Sequence, residues 1–488
     1  MLQSFRRGLD GPDLLDRLRC GLIGDGMEID GPFGPQRLLY ADYAASGRAL
    51  RQVEGFILDH VLPFHANCHT QASFCGERMN RLRAEARRTV ASLCNADPDC
   101  AVIFAGSGAT AGLNRLVHLL GVPAAVARGE RPLILIGPYE HHSNILPWRE
   151  SGAEVVEIPE AAEGGPCAAT IDAVLRQSGP DRLRIGAFSA ASNVTGIVAD
   201  TDRITELVRS HGARSVWDYA AAGPYLPIDM VPRAGAEKDA VVLSPHKFPG
   251  GPGSSGILIV RRSAIAATRP SWPGGGTVSF VSPWGHDYAG DVVAREEAGT
   301  PNAIADIRAA LALLVKDAVG AGTIAAREAA ANRKAFAAWG AHPRLELLGA
   351  DHPHRLPIFA FRVRDGRGGL VHHQLFTRML SDRYGIQARG GCACAGPYAH
   401  RLLDIDRDRS EDLAHRIAAG AEVEKPGWVR LNFSYLMTDA EVDRVIGAVA
   451  ELACDAPALA LDYRLDPATA QFKHPASTLP AAVVEPVH

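Results

Sequence analysis

Residues 244–253 read Ser244-Pro245-His246-Lys247-Phe248-Pro249-Gly250-Gly251-Pro252-Gly253, and they follow directly on the run Asp239 to Leu243, apolar after its first residue. A lysine at the end of a buried strand, behind a histidine and ahead of a glycine-rich turn, contributes little to solubility. It is well placed to hold an aldehyde as a Schiff base. The chain has only six lysines, Lys238, Lys247, Lys316, Lys334, Lys425 and Lys473, and carries most of its positive charge as arginine. Few amines compete for that role, and Lys247 has the neighbours for it.

Outward from this turn, helix and strand patterns alternate from about residue 77. Met79, Leu82, Ala86, Val90 and Leu93 recur at helical spacing. Short apolar runs follow at Ala101–Ala105, Leu133–Gly137, Glu154–Ile158, Leu183–Phe188, Ser215–Asp218, Ala240–Leu243 and Gly256–Val260. Helical segments such as Thr201–His211 separate most of them, which predicts a largely parallel sheet of seven strands covered on both faces. The run Gly256–Val260 returns after only a glycine turn and is expected to be antiparallel.

In such a sheet, ligands bind at the carboxyl ends of the strands, and those ends carry the reactive side chains here. Gly106-Ser107-Gly108-Ala109-Thr110 opens a helix, where small residues let backbone N–H groups approach a phosphate. Glu140-His141-His142-Ser143-Asn144 and Ser192-Asn193-Val194-Thr195-Gly196 follow two further strands, Asp218 ends a third, and His246-Lys247 follow a fourth. An anion cradle, an imidazole, an amide, a carboxylate and an amine together are what pyridoxal phosphate requires. In that reading Lys247 holds the aldehyde, Asp218 keeps the ring nitrogen protonated, and His141 stacks on the ring and shuttles protons.

At 488 residues the chain is long enough for two or three domains. Its net charge of −4 offers no basic footprint for nucleic acid and no attraction to a membrane surface. No apolar run approaches the ~20 residues that cross a bilayer, and no apolar stretch follows Arg6 and Arg7 to make a secretory signal. The nine cysteines are odd in number and scattered, unlike a disulfide framework. A reducing, cytoplasmic location is expected.

The domain organisation expected is an N-terminal helix and linker, residues 1–37, joining the small domain; a large cofactor-binding domain, 38–303; a small α+β domain, 304–454; and an Ala/Pro-rich tail, 455–488. The small domain is expected to hold an Ala-rich helical stretch over Ile304–Trp339, strands at Leu356–Val363 and Trp428–Phe433, and helices at Val371–Tyr384 and Asp439–Leu452.

The chain resembles the class V, fold-type-I pyridoxal phosphate enzymes, in the cysteine desulfurase and selenocysteine lyase branch. The matching stretches are Tyr40 to Ser46, Gly108-Ala109-Thr110, Glu140 to Asn144 with Pro147-Trp148, Ser192 to Gly196, Asp218, Ser244 to Lys247, Gly274-Gly275-Gly276-Thr277, Glu297 to Asn302, Arg389 to Ala395 and Val429 to Phe433. They run in family order over roughly residues 38–450. The resemblance implies that Ala109, Thr110, Ser244 and His246 surround the phosphate and that Asn193 lies beside the ring oxygen. It implies a homodimer in which Thr277 reaches the neighbouring subunit's phosphate. Arg430 would grip the substrate carboxylate with its two-pronged guanidinium, with Arg389 also on the substrate side.

The branch removes sulfur from L-cysteine through a thiolate that becomes a persulfide, leaving L-alanine. Its pattern Arg-x-Gly-x-x-Cys-Ala puts the nucleophile at Cys394, five residues after Arg389. A sulfur-acceptor protein is a further implied partner. Cys392 is extra to the pattern: a small spacer in a tight loop, or a thiol that relays sulfur or caps Cys394. A second departure is Asp218-Tyr219-Ala220-Ala221-Ala222, where the branch has Asp-Gly-Ala-Gln-Ala; Ala221 cannot make the glutamine's bond to the ring oxygen. A different class V reaction, a transamination, an epimerisation or a carbon–carbon lyase reaction on another amino acid, therefore stands beside desulfuration, with an inactive cofactor-binding scaffold as a third reading. His65, Cys68, His69 and Cys75 are too irregularly spaced for a metal site, and none is expected; Asn67 and His69 instead match a family Asn-x-His.

Overall fold

The computed structural model describes residues 1–68, 70–352 and 354–477. They form two compact units: Met1–Ile23, Ala45–Asn193 and Ile197–Ala325 in the first, and Gly24–Ala44, Val194–Gly196 and the chain from Ala326 in the second.

The first unit is built on seven strands: β1 (Cys100–Gly106), β2 (Leu133–Ile136), β3 (Glu154–Glu157), β4 (Arg184–Ser189), β5 (Arg214–Asp218), β6 (Ala240–Leu243) and β7 (Gly256–Arg261). Their order in the sheet is β1-β7-β6-β5-β4-β2-β3. Strands β2 to β6 run parallel, and β7 is antiparallel to both β6 and β1. The central strands are buried along their length, which is why they read as continuous apolar runs rather than as alternation. Helix α1 (Phe74–Leu93) is capped by Ser73, whose Oγ accepts from Gly76 N at 3.1 Å. Helix α2 (Gly108–Leu119) packs Leu113 and Leu116 against Val242 and Leu258 in one apolar cluster. Helix α3 (Ala303–Val319) is apolar nearly all round because it is a core helix.

The Ala-rich stretch expected over 304–339 is two helices. Gly320, with φ +82°, ends α3, and α4 (Ala321–Trp339) begins at the next residue. The division between units falls inside α4 rather than at residue 303. Residues 1–23, expected to join the small domain, cluster with the first unit; Leu2 and Leu18 are fully buried.

The second unit contains a sheet of β8 (Leu345–Leu347), β9 (Ile358–Arg364), β10 (Arg389–Gly391) and β11 (Trp428–Asn432), in the order β8-β9-β11-β10, with Leu370–Val371 on the edge of β9. Helices α5 (His373–Tyr384), α6 (Gly396–Leu402) and α7 (Asp439–Leu459) belong to the same unit, as does a helix over Arg407–Ala418. Trp339 packs edge-on to Phe359 at 5.2 Å and stacks on Phe433 at 6.1 Å. Thr438 and Glu441 close a capping box at the start of α7. The tail expected from residue 455 starts inside a helix. Helix α7 runs through Pro457 to Leu459, and Arg464–Asp466 pairs with Gln471–Lys473 in a hairpin; the tail's last residues, 478–488, lie outside the described residues, as does His69 of the considered metal set.

Candidate active site

Lys247 lies on a single turn of 3-10 helix, Pro245–Lys247, immediately after β6. The chain at Gly47 presses backbone to backbone on this turn: Gly47 N donates to His246 O at 2.8 Å. A Cβ on Gly47 would run into the Phe248 carbonyl oxygen, so only glycine fits there.

Beside it, β1 ends in Gly106 and α2 starts at Gly108, both with left-handed φ, +89° and +60°. A Cβ on Gly108 would stand 3.1 Å from both Ser244 Oγ and His246 Cε1. Ala109 N donates to Ser244 Oγ at 2.9 Å. The exposed Thr110 bonds Ser143 Oγ at 2.6 Å, and Ser143 in turn bonds His141 Nδ1 at 3.0 Å. The end of β6, the start of α2 and the loop after β2 thus meet around one hydroxyl-bearing patch at a helix N-terminus, the chemistry an anionic phosphate asks for. Burial and the neighbouring Lys247 charge lower the His246 pKa to about 4, so its ring is neutral near pH 7.

Asp218 ends β5 and is buried; Ala220 N donates to its Oδ1 at 2.7 Å. Burial raises its pKa, while that N–H and the Lys247 charge pull it back. A buried carboxylate of this kind needs a cationic partner, and a protonated pyridine nitrogen is one. The residues present fit pyridoxal phosphate. Tyr219, bulkier than the branch's glycine, turns into the core, where its hydroxyl donates to Thr201 Oγ1 at 3.3 Å.

Glu140, whose role the sequence does not reveal, braces the loop after β2. Its Oε1 accepts from Ser189 N at 2.7 Å, and its Oε2 from Ser189 Oγ at 2.7 Å and Asn144 Nδ2 at 2.6 Å. Trp148 Nε1 donates onward to Asn144 Oδ1 at 2.9 Å. The network ties the end of β4 to the loop that carries His141. Burial drives the Glu140 pKa up to about 7 against its three donors, and the Asp218 charge adds to the rise. Glu297 is likewise structural: it accepts from Phe104 N at 2.8 Å and Arg87 Nη1 at 2.7 Å, and pairs with Arg83.

In the second unit, Arg430 sits on β11, buried, and donates from Nη2 to Asp42 Oδ1 at 2.8 Å. The exposed Arg389, on β10, donates from Nε to Asp42 Oδ2 at 3.0 Å. Ala44 N donates to Asn432 Oδ1 at 2.7 Å, fastening the Tyr40–Ala44 segment to the same strand. After β10 comes a tight turn: Ala395 N donates to Cys392 O at 3.3 Å, and Ala393 and Cys394 have φ of +54° and +55°. Non-glycine residues pay ~1–3 kcal/mol each for that conformation. Cys394 is exposed and Cys392 partly buried.

Residues 39–445 match the family model described as Aminotransferase class-V. The chain belongs to the class-V aminotransferase family. The family consists of pyridoxal-phosphate-dependent enzymes, and this protein is one of them. It is similar to a cysteine desulfurase of Enterobacter sp. (strain 638), with 32% identity over 376 residues, 74% of this chain and 85% of that protein. A cysteine desulfurase of Klebsiella pneumoniae (strain 342) is 30% identical over 454 residues, 89% of this chain and 97% of that protein. Among solved structures, an apo cysteine desulfurase from Thermococcus onnurineus NA1 aligns with a TM-score of 0.70 at 21% identity, over 85% of this chain and 94% of that one. One from Escherichia coli aligns with a TM-score of 0.66 at 23% identity, over 93% and 99%. These two likenesses establish the fold, type I of the pyridoxal phosphate enzymes.

Within this member of the class-V aminotransferase family, the first unit gathers Lys247, His246, Ser244, Ala109, Thr110, His141 and Asp218 at the carboxyl ends of its strands, with Asn193 buried after β4. Thr277 is buried within its own chain, and its Oγ1 donates to Gly274 O at 2.7 Å across the Gly274–Thr277 turn. Asp42, the partner of Arg430, has one signal in the sequence, its position inside the Tyr40–Ser46 stretch.

Proposed function

We propose that this protein is a cysteine desulfurase, removing sulfur from L-cysteine to leave L-alanine, with Cys394 receiving the sulfur as a persulfide. The observation that carries the reading is the exposed thiol of Cys394 on a strained turn, five residues after Arg389; relatives at about 30% identity named cysteine desulfurase support it. Bound pyridoxal phosphate supplies an electrophilic carbonyl and an electron-withdrawing ring. Ala109, Thr110, Ser244 and His246 would hold its phosphate, Asn193 and His141 its ring, and Lys247 its carbonyl carbon. Asp218 would keep a proton on the ring nitrogen. The Lys247 amine would move the proton at the substrate Cα, with His141 as a second proton carrier. Arg430, oriented by Asp42, grips the substrate carboxylate. The Cys394 thiolate attacks the substrate sulfur: the S–S bond forms as the substrate Cβ–S bond breaks, and the electron pair left on the carbon side takes a proton to give the methyl group of alanine.

The same reading takes the working protein as a cytoplasmic homodimer that hands its sulfur to an acceptor protein. Ala221 and Tyr219, in place of the branch's glutamine and glycine, favour a second reading, a different class-V reaction on another amino acid. An amino-acid panel assayed for sulfide, alanine and keto acids separates the two. Alanine and sulfide from cysteine alone support desulfuration; keto acid or racemised product from another amino acid overturns it.

A further inference from the structure

We propose that Cys392 is a second sulfur-carrying thiol that takes the sulfur from the Cys394 persulfide; the proposal rests on the desulfurase reading for the origin of that sulfur. The turn Cys392-Ala393-Cys394-Ala395 closes with the Ala395 N to Cys392 O bond and has both central residues left-handed. That is the type I′ arrangement, which asparagine and glycine adopt readily and alanine and cysteine do not. It persists because both ends are clamped. Upstream, Gly391 pairs with the fully buried Trp428 across β10 and β11. Downstream, Ala395 is fully buried as the N-cap of α6 and accepts from Ala399 N at 2.8 Å. In an extended strand, residues two apart are separated by roughly 6.5 Å along the chain; folding Ala393 into the left-handed region shortens that span. Strain held at a site of this kind points to function. Here it keeps two thiols on one turn, Cys394 exposed to receive sulfur and Cys392 partly sheltered.

The step balances without a redox partner. The Cys392 thiolate attacks the outer sulfur of the Cys394 persulfide. A bond forms from Cys392 Sγ to that sulfur, the bond from it to Cys394 Sγ breaks, and Cys394 leaves with the electron pair as a thiolate. One proton passes through solvent from the Cys392 thiol to Cys394. Cys394 is then ready for the next substrate, after which one chain holds two sulfurs.

The test uses the full-length, cofactor-loaded protein in two arms. In the first, one equivalent of L-cysteine is added, samples are capped over time with an alkylating agent, and peptide mass spectrometry locates the added sulfur. Sulfur should appear on Cys394 first, and the Cys392 share should rise as the Cys394 share falls. In the second arm inorganic polysulfide replaces cysteine, so that loading does not depend on carbon–sulfur cleavage. The same order is expected, and Cys394→Ser should load Cys392 at least about tenfold more slowly, since delivery from a neighbour on the same turn is lost. Sulfur that stays on Cys394 in both arms overturns the proposal, and alanine in the first arm then leaves the desulfurase reading standing. Migration in the polysulfide arm without alanine in the first supports the relay and removes the desulfurase reading. Equal loading of Cys392 in Cys394→Ser overturns the relay. So does a Cys392–Cys394 disulfide with free sulfide, because the attack would then fall on the inner sulfur.

Discussion

Asp42 is the counter-ion of Arg430: its Oδ1 accepts from the guanidinium Nη2 at 2.8 Å, with both side chains almost wholly buried. The carboxylate's other oxygen takes Arg389, whose side chain is half exposed. The two bonds differ in worth. Removing one partner of a buried pair leaves an uncompensated charge and costs about 3–5 kcal/mol; an exposed pair contributes ~0–1 kcal/mol. Asp42→Ala should therefore destabilise the protein by about 3–5 kcal/mol in urea unfolding, and raise KM for the amino-acid substrate. Arg389→Ala should cost less than about 1 kcal/mol. Equal losses from the two variants would contradict this division.

Asp218→Ala should retain some cofactor and lose turnover by on the order of 10²–10³-fold, the usual cost of deleting one preorganised electrostatic partner. Comparing kcat with the cofactor absorbance per chain checks it. Near-normal kcat would show that another group supports the ring nitrogen.

Glu140 gives a pH dependence of definite sign. Burial raises its carboxyl from the ordinary 4.5 to about 7. Between those values the folded chain binds more protons than the unfolded one, so stability falls as pH rises through the window. Below about 4.5 both states hold the proton, and above about 7 neither does. Glu140→Gln cannot ionise. Its deficit in Tm relative to the wild type should shrink as pH rises from about 4.5 to about 7. Parallel Tm curves would remove the assignment.

The large sheet was legible because its strands are buried on both faces and bounded by turn residues, so each appears as a short apolar run. The reversal at β7 was legible from the glycine turn before Gly256. Strand-end chemistry followed, since Asp218, His141 and Lys247 sit where parallel strands stop. What escaped depends on tertiary context. Gly320 breaks an otherwise unbroken alanine-rich pattern at one residue. Pro457 reads as the end of a helix, yet α7 carries it two residues before its end at Leu459. Asp42 and Glu140 are lone acids whose importance comes from donors, some far off in sequence, that fold onto them.

Lys247→Ala should abolish the visible absorbance of the bound cofactor and the lysine adduct fixed by borohydride. Its place after β6, on the turn against which Gly47 packs, motivates the assignment. A variant that still yields a borohydride-fixed adduct would show that another lysine holds the cofactor.

The central claim is that Cys394 takes sulfur from L-cysteine, and alanine release by Cys394→Ser tests it most directly. A serine hydroxyl is too basic and too weakly nucleophilic toward sulfur to replace a thiolate. The variant should keep the wild-type cofactor spectrum and release no alanine from L-cysteine, while the wild type releases alanine and sulfur in equal amounts. Alanine formed by Cys394→Ser at the wild-type rate would contradict the account.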